Sequence, residues 1–432
     1  MRAGSGGDTG SGGATGSGGD IGPGETGGDS GSTGTGGDSS GGGTGGSGPG
    51  GSGTGSGGRT ATGGASGNAG ATGSGGANGS GGIIGMAGDT PCSILAAATN
   101  ACVAAHSTTR VVYPGYSGPL YQVCKGSFVA GPKSCTSGMT MDIGSVAGGY
   151  ANAAAQDTFC AGTMCTITTI YDQSPNKNDL KPAPAGGAGR TPDNPVVADA
   201  LPTKLNGHSV YGVFIKPGTG YRSGCSACDT PTAKGTATGD APETQYMVTS
   251  QKGLVNGCCF DYGNAETTSR DDGNGTMETV YFGGGVVWGT GSPGGHNNGP
   301  WVMADLENGL YAGWERNQDQ NISTNTTMKF DFVTGIVVGD VASQNAGKGR
   351  FAIYGGNAAM AGPLTTLYDG IRPAKPGYVP MKKQGSIILG IGGDNSKSAG
   401  GQWFEGVMAN GASTLPTVNA LQANIVAAGY GK

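Results

Sequence analysis

Charge is scarce in this chain. Of 432 residues only 12% are charged, 24 basic against 29 acidic, for a formal net charge of −5. No basic run occurs, which argues against nucleic acid and anionic lipid as partners. No stretch of 18 apolar residues exists, so no segment can cross a bilayer as a helix. Sustained heptads are missing, which excludes a coiled coil. No period of 20–50 residues repeats, which disfavours propellers and solenoids. No GxSxG, HExxH or P-loop motif is present, nor a nucleotide-binding fingerprint leading into a helix. His106, His208 and His296 show neither metal spacing nor a nucleophile partner and read as structural. The chemistry to look for is therefore free of metal and cofactor.

Glycine is abundant: 94 residues, irregularly spaced, which excludes collagen. Residues 1–82 hold 39 of them and contain no aromatic residue and no Cys. Such a segment buries too little apolar surface to offset its ordering entropy. Residues 1–87 therefore read as a disordered Gly/Ser/Thr-rich linker, with a coil reach of roughly 50 Å. Residues 88–432 read as the folded domain. There, short apolar runs alternate with Gly, Asn, Asp and Pro: Thr166–Tyr171, Val210–Ile215, Thr279–Phe282, Phe332–Val338, Phe351–Tyr354 and Ser386–Ile391. These read as strands. Cys92–Ala105 and Val418–Ala428 read as helices. Many strands and few helices predict an all-β fold, a sandwich of two packed sheets.

Ten cysteines fall at Cys92, Cys102, Cys124, Cys135, Cys160, Cys165, Cys225, Cys228, Cys258 and Cys259. An even, locally clustered count favours disulfides formed in an oxidising compartment. Connectivity is not fixed by spacing, and Cys225-Ser-Ala-Cys228 also has zinc-ligand spacing, without a second such pair nearby. Cys258 and Cys259 either bond to each other, in a strained ring, or pair elsewhere or remain thiols. Export is implied, yet no signal peptide is visible in the first 30 residues, so either the true start lies upstream or the sequence is a fragment.

Three segments could carry chemistry. In Trp301-Val-Met-Ala-Asp-Leu-Glu-Asn308, strand alternation puts Val302, Ala304 and Leu306 on one face and Met303, Asp305 and Glu307 on the other. Two carboxylates then stand about 7 Å apart, over a sheet whose other face suits a core. In Ile388-Leu-Gly-Ile-Gly-Gly-Asp-Asn395, Gly392 and Gly393 let backbone approach a ligand, and Asp394 at the strand mouth can serve as a proton donor. In Gly257-Cys-Cys-Phe-Asp-Tyr-Gly-Asn-Ala-Glu266 the adjacent cysteines are the unusual feature. Trp288 offers an aromatic face for a sugar or a core side chain.

These stretches, with Cys102–Arg110, Tyr171-Asp-Gln-Ser174 and Gly235-Thr-Ala-Thr-Gly-Asp240, resemble the catalytic domain of family 54 glycoside hydrolases, the fungal-type α-L-arabinofuranosidases B, over about residues 89–430. The resemblance implies a concanavalin-like β-sandwich, or jelly roll, and a retaining mechanism. By motif match Glu307 is the nucleophile and Asp394 the general acid/base. Asp305, Asn308, Gly393 and Trp288 are the arabinose contacts. The Cys258–Cys259 bond lies under the sugar as a flat surface, and Cys92–Cys102 and Cys160–Cys165 match further family disulfides. Cys124–Cys135 and Cys225–Cys228 are expected as additions. A retaining pair stands about 5–5.5 Å apart. The expected protein is a secreted or cell-surface exo-α-L-arabinofuranosidase, a monomer, acting on arabinose-containing plant cell-wall polysaccharides such as arabinan and arabinoxylan. Its rivals are a non-catalytic arabinose-binding lectin, an exo-hydrolase of β-xylosides or galactofuranosides, and a structural surface protein on a long stalk. The family's C-terminal arabinose-binding trefoil is not matched in this sequence, so polymer binding is expected to be weaker or supplied by something else.

Overall fold

The computed structural model describes residues 89–284, 299–315, 320–322 and 325–432. The linker reading of residues 1–87 and the reading of Trp288 fall outside the described residues.

The β-branched and aromatic runs pair as antiparallel strands. Among the described residues they build two seven-stranded sheets. The first runs in space Cys102–Ser107, Gly400–Asn410, Glu243–Val255, Val333–Asp340, Arg350–Asn357 and Thr365–Gly370, with Val213–Ile215 also on Gly400–Asn410. The second runs Leu310–Tyr311, Trp301–Asp305, Glu278–Gly283, Asp261–Ala265, Ser386–Leu389, Tyr221–Ser223 and Lys181–Pro182. Tyr262, Val280, Val302, Ala304 and Leu389 of the second sheet share one buried cluster with Tyr246, Ile336, Val338 and Val407 of the first. This is an all-β sandwich. At Gly335 the two layers nearly touch: a methyl there would lie 3.1 Å from Val302 Cγ1 and 3.2 Å from Val280 Cγ1.

The helical reading of Cys92–Ala105 is corrected. The helix is Pro91–Ala97, opened by a Thr90–Ser93 capping box. The chain turns through Thr99, at φ +64, and Cys102–Ser107 becomes an edge strand on Gly400–Asn410. Burial of Val103, Ala104 and Ala105 in the sandwich outweighs alanine's helix propensity. The run Val210–Ile215 also splits, into His208–Tyr211 and Val213–Ile215. The second expected helix is present as Leu415–Ala427.

Several of the recognisable motifs are structural. Arg110 makes a bidentate pair with Glu405 at 2.6 and 2.7 Å and donates to Asn424 of the last helix at 3.0 Å, tying helix to sheet. Asp172 accepts from the backbone N–H groups of Ala105, Ser174 and Asn178. Asp240 pairs with Arg372. His106 is buried between the Tyr262 hydroxyl and the Asn178 carbonyl. Disulfides join Cys92–Cys102, Cys124–Cys135, Cys160–Cys165, Cys225–Cys228 and Cys258–Cys259. The Cys258–Cys259 peptide is cis.

Candidate active site

Strand register brings the site together. Asp305 pairs with Thr279, Thr279 with Gly263, Gly263 with Ile388 and Ile388 with Arg222. Residues directly opposite each other in antiparallel strands share a face. Asp305 and Arg222 thus belong to one row across the second sheet, on the face turned away from Val302, Ala304 and Leu389. Trp301, Met303, Tyr281 and Cys259 form a smaller apolar cluster on that outer side.

The strand reading of Glu307 is corrected. The strand ends at Asp305, and Leu306–Gly309 is a tight hairpin turn closed by a hydrogen bond from Leu306 N–H to the Gly309 carbonyl. Glu307 and Asn308 sit at φ +62 and +55, both left-handed, as a type I′ hairpin requires. Asn tolerates this region, whereas Glu there is uncommon and costs on the order of 1–3 kcal/mol. The turn is held from outside. The Tyr378 hydroxyl donates to the Glu307 carbonyl at 2.7 Å, and Asn308 Nδ2 donates to Asp271 Oδ1 at 3.0 Å. The Glu307 N–H donates to Asp305 Oδ1 at 3.1 Å. The turn still delivers both carboxyls to one place, with Leu306 in the main core.

Asp394 lies on the loop after Ser386–Leu389. Its Oδ1 accepts from the Ser396 N–H at 2.9 Å and the Ser396 hydroxyl at 2.6 Å, which fixes the carboxyl from within the loop. The Ala188 N–H braces the loop by donating to the Asp394 carbonyl at 3.0 Å.

Cys258, Cys259, Asp271, Asp305, Glu307, Asn308, Gly392, Gly393, Asp394 and Ser396 line one cavity of about 80 Å³. Sites for drug-sized ligands run to roughly 300–1,000 Å³, so this one suits a single small ring. Cys259 Sγ touches Asp305 Oδ2 at 3.4 Å, placing the disulfide beside the carboxylates. Gly393 has no room for a side chain: an added Cβ would stand 1.8 Å from Glu266 Oε2 and 3.0 Å from Glu307 Oε2. The sulfurs of Cys258 and Cys259 and a carboxylate oxygen of Asp305 lie within 4.8 Å of one another, but sulfurs bonded to each other are not thiolate ligands for a metal.

The pocket is electrostatically crowded. Burial, then the neighbouring carboxyls of Glu266 and Asp305, hold Glu307 above the ordinary carboxylate range. Burial pushes Asp305 up to about 7, against the pull of the Glu307 N–H. Burial, then the neighbouring Asp305, also holds Asp261 well above the ordinary carboxylate range. Arg222 is the buried cation in reach. Burial lowers it to about 10, while Glu266, Asp394, Glu307 and Asp193 pull it back up.

Glu266, Asp271, Ser396, Arg222 and Tyr378 are the participants that sequence reasoning passed over. Glu266 ends the very segment singled out for its cysteines, directly after the strand Asp261–Ala265. Arg222 and Tyr378 carry no local signal.

Comparison with known proteins follows from this geometry. The family described as "Alpha-L-arabinofuranosidase B, catalytic" matches residues 91–431. A probable α-L-arabinofuranosidase B of Aspergillus fumigatus is 52% identical over 345 residues, covering 79% of this chain and 62% of the relative. A Trichoderma koningii protein named arabinofuranosidase/B-xylosidase is 49% identical over 344 residues, covering 79% and 63%. A crystal structure of an arabinofuranosidase complexed with arabinofuranosyl-α-1,2-xylobiose superposes with a TM-score of 0.69 at 45% identity, covering 79% of this chain and 65% of that one. The chain thus spans less than two thirds of the length of these relatives.

Proposed function

The chain belongs to the α-L-arabinofuranosidase B catalytic family, and from that premise we propose that it is a secreted, retaining exo-α-L-arabinofuranosidase that removes terminal arabinofuranosyl groups from arabinan and arabinoxylan. The observation that carries this reading is the convergence of Glu307 and Asp394 on one small cavity beside the Cys258–Cys259 bond. Glu307 attacks the anomeric carbon as the glycosidic bond breaks, and Asp394 protonates the departing oxygen. Asp394 then takes a proton from water, which displaces Glu307. Asp305, Asn308 and the Gly393 backbone surround the sugar, and the disulfide is its floor. A pocket sized for one ring suits removal of terminal residues. Five disulfides suit an oxidising, extracellular setting.

The test is hydrolysis of 4-nitrophenyl α-L-arabinofuranoside by the full chain, with proton NMR of the first-formed anomer. Turnover with the α-anomer released first is expected. Binding of arabinose without turnover would replace the enzyme by the lectin reading, and first release of the β-anomer would refute retention. The name of the Trichoderma koningii relative favours a second reading, in which β-xylosides are also cleaved. 4-Nitrophenyl β-D-xylopyranoside in the same assay decides it.

Gly393→Ala is expected to lower kcat/KM by about 100-fold, because the methyl, placed 1.8 Å from Glu266 Oε2 and 3.0 Å from Glu307 Oε2, must drive the Glu266 carboxyl aside and press on that of Glu307. Initial rates check this, and a variant within threefold of wild type would refute the crowding argument.

A further inference from the structure

We propose that Glu266 is a positioning residue for Glu307, donating a hydrogen bond from its own carboxyl proton so that Glu307 keeps an ionised oxygen facing the pocket. This rests on the reading of Glu307 as the nucleophile.

The two carboxyls meet across Gly393. From the distances of an added Gly393 Cβ to Glu266 Oε2 and to Glu307 Oε2, those oxygens can be no farther apart than the sum of 1.8 and 3.0 Å, which is 4.8 Å. Both oxygens thus crowd the same point beside Gly393, within reach of a shared proton. Two carboxylate oxygens carry only lone pairs, so such a contact needs a proton between them. Thr276 Oγ1 sits 2.7 Å from Glu266 Oε1 and also 2.7 Å from the Gly273 carbonyl. This fixes Oε1 and leaves Oε2, which has no other hydrogen-bond partner among the described residues, turned toward Glu307. Glu266 is 0% exposed and Glu307 8%, so the deeper group is the poorer place for charge.

The surroundings retain a proton. Arg222, from the strand Tyr221–Ser223, donates to the Glu266 main-chain carbonyl and to Ser386 Oγ, not to the Glu266 carboxyl. Against this one cation stand Asp261 on the strand leading to Glu266, Asp305 and Glu307 at the hairpin, Asp394 on its loop, and Asp271 beside Asn308.

The proton balance closes. Glu307 spends its charge in the bond to the anomeric carbon, and the electron pair of the broken bond leaves with the oxygen that takes the Asp394 proton. Glu266 keeps its proton throughout and bonds the ester oxygen of the glycosyl-enzyme. Attack by water restores charge to Glu307 and the proton to Asp394.

The experiment compares Glu266→Leu and Glu266→Gln in the full chain on 4-nitrophenyl α-L-arabinofuranoside, reading kcat, KM and the acidic limb of kcat/KM. Leu removes the donor, whereas Gln keeps an N–H donor that never ionises. With Leu, kcat should fall about 100-fold with KM within about threefold. Its acidic limb should move up by about one pH unit or more. The Glu307 anion has lost its donor, so its folded-state pKa rises and the ionised form is lost at a higher pH as pH falls. With Gln the limb should stay within about half a unit and kcat within about tenfold of wild type. A purely structural Glu266 would lower Tm and leave the limb in place. An unmoved limb in Leu, or Gln as impaired as Leu, overturns the proposal. Should Leu not fold, Thr276→Val releases Oε1 and should move the limb up by a smaller step, and an unmoved limb with full kcat there overturns it equally. A wild type without turnover would instead refute the activity itself.

Discussion

Glu307→Gln is expected to lower kcat on 4-nitrophenyl α-L-arabinofuranoside by about 10⁴-fold or more, about 5.5 kcal/mol of transition-state stabilisation. The amide keeps the shape of the side chain, the left-handed turn and the Tyr378 bond to the residue's carbonyl, so substrate binding should survive while covalent attack does not. Stability should hold or rise. Glu307 stands near Asp305 and Asp271, and replacing it with a neutral amide relieves like-charge crowding that the folded state otherwise carries. The measurement is kcat beside a melting curve. A variant that melts at or above the wild-type temperature and retains under 0.1% of wild-type kcat (a threshold of about 10³-fold) supports the nucleophile. One that retains more than about a tenth of wild-type kcat removes Glu307 from the chemistry.

The second large effect depends on the leaving group. Asp394→Asn should slow release of a sugar alcohol, as from an arabinosylated xylo-oligosaccharide, by about 10³–10⁴-fold, because a poor leaving oxygen needs its proton as the bond breaks. The 4-nitrophenolate leaves without one, so the aryl substrate should lose only about ten- to a hundredfold, chiefly in the water-attack step. The loop should not move, since an Asn carbonyl can still accept from the Ser396 N–H and hydroxyl. Rates on the two substrates give the answer by their ratio. Equal losses on both would assign Asp394 to binding rather than to proton transfer.

Both residues stood out in the linear chain, for reasons that can be named. A strand pattern, apolar on one face and acidic on the other, marked Asp305 and Glu307. An apolar strand running into Gly-Gly-Asp-Asn marked Asp394. The alternation held as far as Asp305, and it placed Val302, Ala304 and Leu306 correctly in the core. It could not reveal that the chain reverses at Glu307. A Glu at positive φ is locally unfavourable, and only the pairing of Asp305 with Leu310 and the outside supports of Tyr378 and Asp271 impose it. The run Cys92–Ala105 failed for a similar reason, because an alanine-rich stretch reads as helix until an edge of the sheet claims half of it.

Sequence alone determined the all-β class, the position of several strands, the local clustering of cysteines and the two acids proposed to carry the chemistry. All of these are encoded by near neighbours: alternation, turn residues and short spacings. Tertiary structure decided which charges meet. Glu266, Arg222 and Gly393 lie far apart in the chain, and strand register across the second sheet together with one loop brings them to the same pocket. A buried carboxyl's protonation depends on how much water it has lost and on which charges surround it, and neither is a property of the residues beside it in the chain.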